Sequence, residues 1–415
     1  MKRSFADILQ ELDGAQAKKV ARKLPEWAAA DAEIPSALAL EQCSSTATAL
    51  YKCSLAVQTA LPGTDKSAFD KVLDLTGGLG VDSWAFSQVA KKVIYYEQHA
   101  ELAAAAVRNF TRLGAEGIEV RCETVTPQTA LPEADLIYAD PARRNAAGRK
   151  VFLLEDCTPD ILTLLPLLLR KAPAVLLKVS PMADLSMLSG RLGSALREIH
   201  VVEAGGEVKE ILCLLRHDTA CAEPEIVVAR LRTSPEEPQP ARTGAPAGQE
   251  ISPRSAAEMS DRTLRFRPQE EREAEAEYAA GVQPGRLLLE PAPALLKAGA
   301  FKLPCKRLGL LKLAHSTHLY TTGPDRAAET GFAPLRPEAA AWFKACRILE
   351  VLPFGSASFK DLKRRFPRAE VTARNLPLDS AALQKKTGIS PGGDTRIFAC
   401  RLADGRAVLI ICAQP

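Results

Sequence analysis

Val72-Leu73-Asp74-Leu75-Thr76-Gly77-Gly78-Leu79-Gly80 is the stretch on which the reading of this chain turns. Its first four residues form a short apolar run with the character of a buried strand, and a helical pattern begins near Asp82. Glycines at a strand-to-helix turn let the backbone come within contact distance of a ligand, because no Cβ intervenes. In an open α/β sheet such a ligand sits beyond the carboxyl ends of the strands, in the crevice where strand order reverses.

The pattern around this loop supports that sheet. Between 71 and 232, β-type runs alternate with helical ones: Lys71–Leu75, Lys92–Tyr96, Ile118–Arg121, Leu136–Ala139, Ala174–Val179, Glu198–Glu203 and Glu210–Arg216 read as strands. Alternation of this kind implies a mainly parallel sheet covered on both faces, so the expected fold class is α/β and Rossmann-like. The turn Ala204-Gly205-Gly206 is too short for a parallel crossover and predicts an antiparallel hairpin between the last two strands. Dinucleotide-binding folds keep their strands parallel, whereas methyltransferase sheets close with such a hairpin.

Residues 1–66 read as a helical region, and 67–232 as the Rossmann-like domain. The segment from 218 to about 262 is rich in Pro, Ala, Glu and Ser and is expected to be a linker or long mobile loop, with 233–265 as the interval between domains. Two small modules follow, 266–330 and 340–415. The second begins with the strand-like Cys346–Leu352 and ends with a hairpin signalled by Asp404-Gly405.

Composition narrows the class. The chain has 415 residues, 47% hydrophobic and 25% charged, as expected of a multi-domain globular protein. The net charge of +4 permits an acidic partner such as RNA without requiring one. The 10 cysteines include no Cys-x-x-Cys pair and mostly lie in apolar runs, which suits buried thiols in a reducing cytoplasm. Only His315 and His318 of the five histidines are close in sequence, so no metal site is expected. No secretory signal follows Met1, and the longest apolar run, Ile161–Leu169, is too short to span a bilayer, so no membrane partner is expected.

The second strand ends in Glu97, well placed to accept hydrogen bonds from both hydroxyls of a ribose. A nicotinamide fingerprint would need a third glycine where Ser83 stands, so the loop does not match a dehydrogenase. The pattern points instead to S-adenosylmethionine, held by Asp74, Thr76, Gly78, Gly80, Glu97 and, near the adenine, Glu123. Thr124 or a backbone group is the alternative to Glu123. Gln42, Ser44 and Lys52, on helical sequence before the first strand, are further candidates, with capping or surface roles as the alternative.

The fourth strand runs into Asp140-Pro141-Ala142-Arg143. This resembles the Asp-Pro-Pro-aromatic motif of methyltransferases that act on amino groups of bases, in which the acid orients the target nitrogen. Ala142 and Arg143 depart from that motif. Arginine can stack on a base or hold a phosphate, so Asp140 and Arg143 are the candidates for substrate positioning. Lys178 and Ser180, ending the fifth strand, could border the substrate. Basic residues of Phe359–Arg368 and of Leu383–Lys386, set among apolar ones, suit RNA phosphate contacts or a solvated helix face.

Glu41-Gln42-Cys43-Ser44-Ser45, Asp74–Gly80, Asp140–Arg143, Leu289-Glu290-Pro291 with Leu296–Phe301, His318-Leu319-Tyr320 and Arg374-Asn375-Leu376-Pro377-Leu378 together resemble a bacterial family of class I S-adenosylmethionine-dependent methyltransferases with a THUMP-like carboxyl-terminal domain. The resemblance implies a ferredoxin-like segment before that domain, and an RNA substrate, tRNA or rRNA. A protein or small-molecule methyltransferase, and a non-catalytic RNA-binding protein on the same fold, remain the alternatives.

Overall fold

The computed structural model describes residues 14, 16–60, 69–143, 154–217, 222–231, 262–323 and 335–413. The Pro-rich run Ser234–Pro240 and the first residues of the amino-terminal helical region lie outside them. The chain divides into two compact units, residues 1–265 and 266–415.

In the first unit, helices α1 (Pro25–Ala29), α2 (Ala37–Gln42) and α3 (Thr46–Ala60) precede the sheet. The sheet then alternates with helices: β1 (Phe69–Asp74), α4 (Val81–Ser87), β2 (Ala90–Tyr96), α5 (Ala100–Arg112), β3 (Ile118–Arg121) and β4 (Leu136–Ala139). A short ribbon, β5 (Ala142–Arg143) with β6 (Cys157–Thr158), leads to α6 (Ile161–Lys171), β7 (Ala174–Val179), α7 (Leu185–Leu192), β8 (Leu196–Ala204), β9 (Glu207–Arg216), β10 (Glu225–Leu231) and β11 (Arg262–Phe266). The nine strands lie in the order β11-β10-β8-β9-β7-β4-β1-β2-β3.

Strands β1, β2, β3, β4 and β7 are parallel, and β9 runs antiparallel to both β7 and β8 as the Ala204-Gly205-Gly206 turn requires. Because β2 and β3 add on one side of β1 and β4 on the other, the strand order reverses between β1 and β4. The central strands are buried on both faces, which is why they read as unbroken apolar runs rather than alternating ones.

One expectation is corrected here. The segment 218–262 is not linker throughout: Glu225–Leu231 is β10, paired in parallel with β8 and buried along Ile226, Val227, Val228 and Ala229. Its apolar run sits within a Pro- and Glu-rich composition, so the average over the segment hid it.

The second unit contains α8 (Pro268–Glu273), β12 (Leu287–Pro291), α9 (Pro293–Ala298), α10 (Leu303–Leu308), β13 (Leu310–Lys312), β14 (Tyr320–Thr322), α11 (Pro337–Ala340), β15 (Phe343–Pro353), α12 (Ser356–Arg365), β16 (Glu370–Arg374), α13 (Ser380–Thr387), β17 (Thr395–Arg401) and β18 (Ala407–Ala413). Its strands form one seven-stranded sheet in the order β13-β14-β12-β15-β18-β17-β16. The two modules read from the sequence therefore share a sheet, joined where β12 pairs antiparallel with β15. Phe359, Leu362 and Leu383 from α12 and α13 pack with Val371, Ile397, Leu409 and Ile411. A second cluster holds Leu288, Cys346, Ile348, Phe398 and Ile410.

Candidate active site

The β1–α4 loop is pinned from several sides. Tyr95 Oη donates to the Gly78 carbonyl at 2.6 Å, and its ring fills the space beneath the turn. A Cβ at Gly77 would stand 2.0 Å from that ring, so only glycine fits there. Gly80 has φ 86°, and a Cβ on it would meet Phe110 at 2.7 Å. Behind the loop, the fully buried Asp74 accepts from Ser83 Oγ at 2.6 Å and from the Thr76 amide at 3.1 Å. Burial raises the Asp74 carboxyl to about 7, against the opposing pull of these two hydrogen bonds.

Glu97, at the end of β2, fastens the next turn. Its Oε2 accepts from the Gly78 amide at 2.9 Å and its Oε1 from the His99 amide at 2.8 Å. The loop is also tied to β4: the Asp140 amide donates to Thr76 Oγ1 at 2.6 Å. These contacts bring Thr76, Gly78, Glu97 and Asp140 to one cavity of about 730 Å³, which Glu123, Thr124, Gln42, Ser44, Lys178 and Ser180 also line.

Of the residues expected at a cofactor, Asp74 and Gly80 do not line this cavity; they shape the loop that does. Glu123 is exposed at its edge. Arg143 has its backbone in β5, and its side chain lies outside the described residues. Lys52, for which a surface role was the alternative, is instead fully buried and does not line the cavity.

Beneath the cavity lies a charged cluster that the sequence did not announce. Lys52 Nζ donates to Ser44 Oγ at 3.0 Å, reaches both Glu210 carboxylate oxygens at 2.9 Å and lies 3.1 Å from Asp82 Oδ1. Asp82 Oδ2 accepts from Ser44 Oγ at 2.8 Å and Tyr138 Oη at 2.9 Å. Burial would raise the Asp82 carboxyl, but Lys52 and Lys178 outweigh it and hold it below its ordinary value. Lys178 Nζ donates to Asp140 Oδ2. Burial would lower the Lys178 ammonium, yet Asp140, Glu210 and Asp82 raise it above its ordinary value, so it stays protonated.

The only sequence signal for this cluster was negative. Lys52 is a charge within the largely apolar stretch Ala49–Leu55 of α3, and Glu210 opens the apolar run Ile211–Leu215 of β9, places where an ionised side chain needs a partner once buried. Among the described residues no group of histidines, cysteines or acids could hold a metal ion, and no helix is long and apolar enough to cross a membrane.

Charge selects what this cavity can take. Glu41, Asp82, Glu97, Glu123 and Asp140 line it against Lys178 and Lys209. Five carboxylates facing two ammonium groups favour a cationic ligand and disfavour the pyrophosphate of a dinucleotide.

Comparison with known proteins agrees with this fold. A THUMP domain-like family model matches residues 343–414, and a ferredoxin-like domain model matches residues 288–324. The chain is similar to the solved structure of a "putative methyltransferase" from Porphyromonas gingivalis W83, with 32% identity and a TM-score of 0.72 over 96% of this chain and 88% of that one. A type I restriction-modification methyltransferase subunit from Streptococcus thermophilus matches at 10% identity and a TM-score of 0.33, over 45% of this chain and 47% of that one. None of the curated proteins matches the chain.

Proposed function

The chain belongs to the family of the Porphyromonas gingivalis protein, with a methyltransferase fold and a THUMP-like carboxyl-terminal domain, and from that premise we propose that it transfers a methyl group from S-adenosylmethionine to an amino group of an RNA base. The observation that carries this reading is the hydrogen bond from the Asp140 amide to Thr76 Oγ1, which fastens the glycine loop and the Asp-Pro motif at one anionic cavity.

The residues fit the cofactor. Gly77 and Gly80 make way for Tyr95 and Phe110, whereas a Cβ at Gly78 would meet only the Thr76 carbonyl at 3.9 Å, so the β1–α4 loop is open there, and the cavity lining is rich in acceptors. Thr76, Gly78 and Glu97 would hold it, with Glu123 or Thr124 at the adenine end and Asp74 and Gly80 behind. Bound there, S-adenosylmethionine supplies an electrophilic methyl on a sulfonium, a charge the surplus of carboxylates suits.

Asp140 would accept a hydrogen bond from the target amino group and turn its lone pair toward the methyl. Lys178 fixes the Asp140 carboxylate in place for that task. The residues thus contribute alignment and exclusion of water. A single base swung out of its strand suits an anionic cavity, because its phosphates stay outside. RNA as partner is supported by the THUMP-like match and by exposed Lys360, Lys363, Arg364, Arg368, Lys385 and Lys386. Arg364 and Arg365 contribute less than the others, since Asp361 engages both and Glu350 also engages Arg365.

Calorimetry with S-adenosylmethionine, followed by labelled methyl transfer into total RNA from cells lacking the protein, tests the reading. Binding with label in an RNA fraction is the expected result. Binding with label only in protein or small molecules would overturn the RNA substrate, and absence of binding would overturn the enzyme.

A further inference from the structure

The second unit carries a cluster of charge that this function does not use. Glu290, near the end of β12, accepts from Arg374 Nη2 at 3.1 Å and from Arg396 Nη2 at 2.6 Å. Lys344 is its direct neighbour across the β12–β15 pair and is exposed. Two guanidinium groups therefore share one carboxylate, with a third cation on the neighbouring strand position.

Arg396 is 9% exposed, with its guanidinium carbon 4.7 Å from the Phe398 ring centroid. Its Nη1 is buried with no hydrogen-bond partner among the described residues. A charged donor left buried without a partner carries a standing cost that a ligand reaching it would relieve. Beside Arg374, Asn375 has φ 54° and donates from Nδ2 to Thr317 Oγ1 at 3.4 Å. The next residue, His318, stacks on Phe301 with centroids 4.0 Å apart, and its Nδ1 is likewise buried without a partner. Burial, reinforced by Lys312, His315 and Arg374, lowers the His318 imidazole to about 4, so it is neutral near pH 7. Segments far apart in sequence thus converge on one patch with two unspent polar atoms and a surplus of positive charge.

We propose that this patch binds a phosphate group, with Arg374, Arg396 and Lys344 as its donors. Planar guanidinium forks match phosphate oxygens, and a surplus of two positive charges suits a dianion better than a single carboxylate. The site stands independently of methyl transfer: it lies in the other unit, and its test needs no S-adenosylmethionine. The same chemistry is offered by an RNA phosphate and by a free phosphate or mononucleotide.

Equilibrium dialysis of the full chain with labelled inorganic phosphate, then with a short oligoribonucleotide carrying either a 5′-phosphate or a 5′-hydroxyl, tests the site. Arg374→Gln is expected to weaken binding about tenfold or more, the loss of one charge-assisted hydrogen bond. Lys344→Ala, at an exposed position where folding is not at risk, is expected to weaken it about threefold, as for one partly screened charge. Preference for the 5′-phosphorylated oligonucleotide assigns the site to an RNA end. Equal binding of both oligonucleotides, lost in Arg374→Gln, assigns it to the RNA backbone. Binding of inorganic phosphate alone assigns it to a free anion or mononucleotide. The proposal is overturned if none of the three probes binds, or if both variants bind as the parent does. In the first case Arg374 and Arg396 serve only to hold the sheet ends together, and phosphate should not raise the melting temperature of the unit.

Discussion

Lys52 and Arg396 are both cations withdrawn from water, and the two units treat them differently. In the first unit Lys52 meets Ser44, both oxygens of Glu210 and Asp82, two carboxylates for one ammonium. In the second, Arg396 shares the single carboxylate of Glu290 with Arg374, and one of its N–H groups is left over. A cluster that closes on itself holds structure. A cluster with buried donors to spare is shaped for something that arrives from outside. Near the first cluster the surplus is negative and faces a cavity; in the second it is positive.

The comparison breaks most sharply at Lys52. Lys52→Ala leaves Glu210 buried without its hydrogen-bond partner and Asp82 without its nearest ammonium, and urea unfolding should show a loss of about 3–5 kcal/mol. A second substitution, Glu210→Gln, should recover part of it. A loss below about 1 kcal/mol would mean that the cluster is not a structural pair in the sense used here.

Asp140 stands between scaffold and chemistry, since it is paired with Lys178 yet lines the cavity. Asp140→Ala is expected to reduce methyl transfer at least about a hundredfold, roughly 2.7 kcal/mol in the barrier, while S-adenosylmethionine affinity stays within about a few fold. A large loss of affinity would make Asp140 a cofactor ligand.

Glu290→Gln sharpens the contrast from the other side. It leaves Arg374 and Arg396 without a countercharge at a partly exposed position, so thermal unfolding should report a smaller loss, about 1–2 kcal/mol. Added phosphate should restore part of it.

Asp74, behind the glycine loop, adds a pH dependence. Its folded value of about 7 lies above the ordinary 3.8, so the folded chain binds the proton more tightly than the unfolded chain. The stability of the parent relative to Asp74→Asn should be greatest below about pH 4, decline as pH rises to about 7 and level off above it. Denaturant midpoints across that range measure it, and an opposite slope would show that Asp74 is not desolvated.

Seven of the nine strands of the first sheet, its hairpin and the glycine loop were legible because each is a local matter. Apolar runs, two-residue turns and glycine at a crowded bend leave their mark within a few positions. Glu97 and Asp140 were legible for the same reason, as polar residues at strand ends. The Lys52–Glu210 and Asp140–Lys178 pairs were not, because each joins segments distant in the chain, and an ionised side chain in an apolar run tells only that a partner exists. The strand β10 was lost in the average composition of its neighbours, and β11 begins within the interval read as linker.

Sequence alone therefore determined which residues form the β1–α4 loop and on which strand ends the polar groups stand, since backbone sterics and burial periodicity act over short range. Tertiary structure decided which charges meet: that Thr76 fastens to Asp140, that five carboxylates face one cavity, and that Glu290 is shared by Arg374 and Arg396. Those pairings follow from strand order and the folding together of distant segments, where Coulomb energies depend on distance and desolvation that no local pattern encodes.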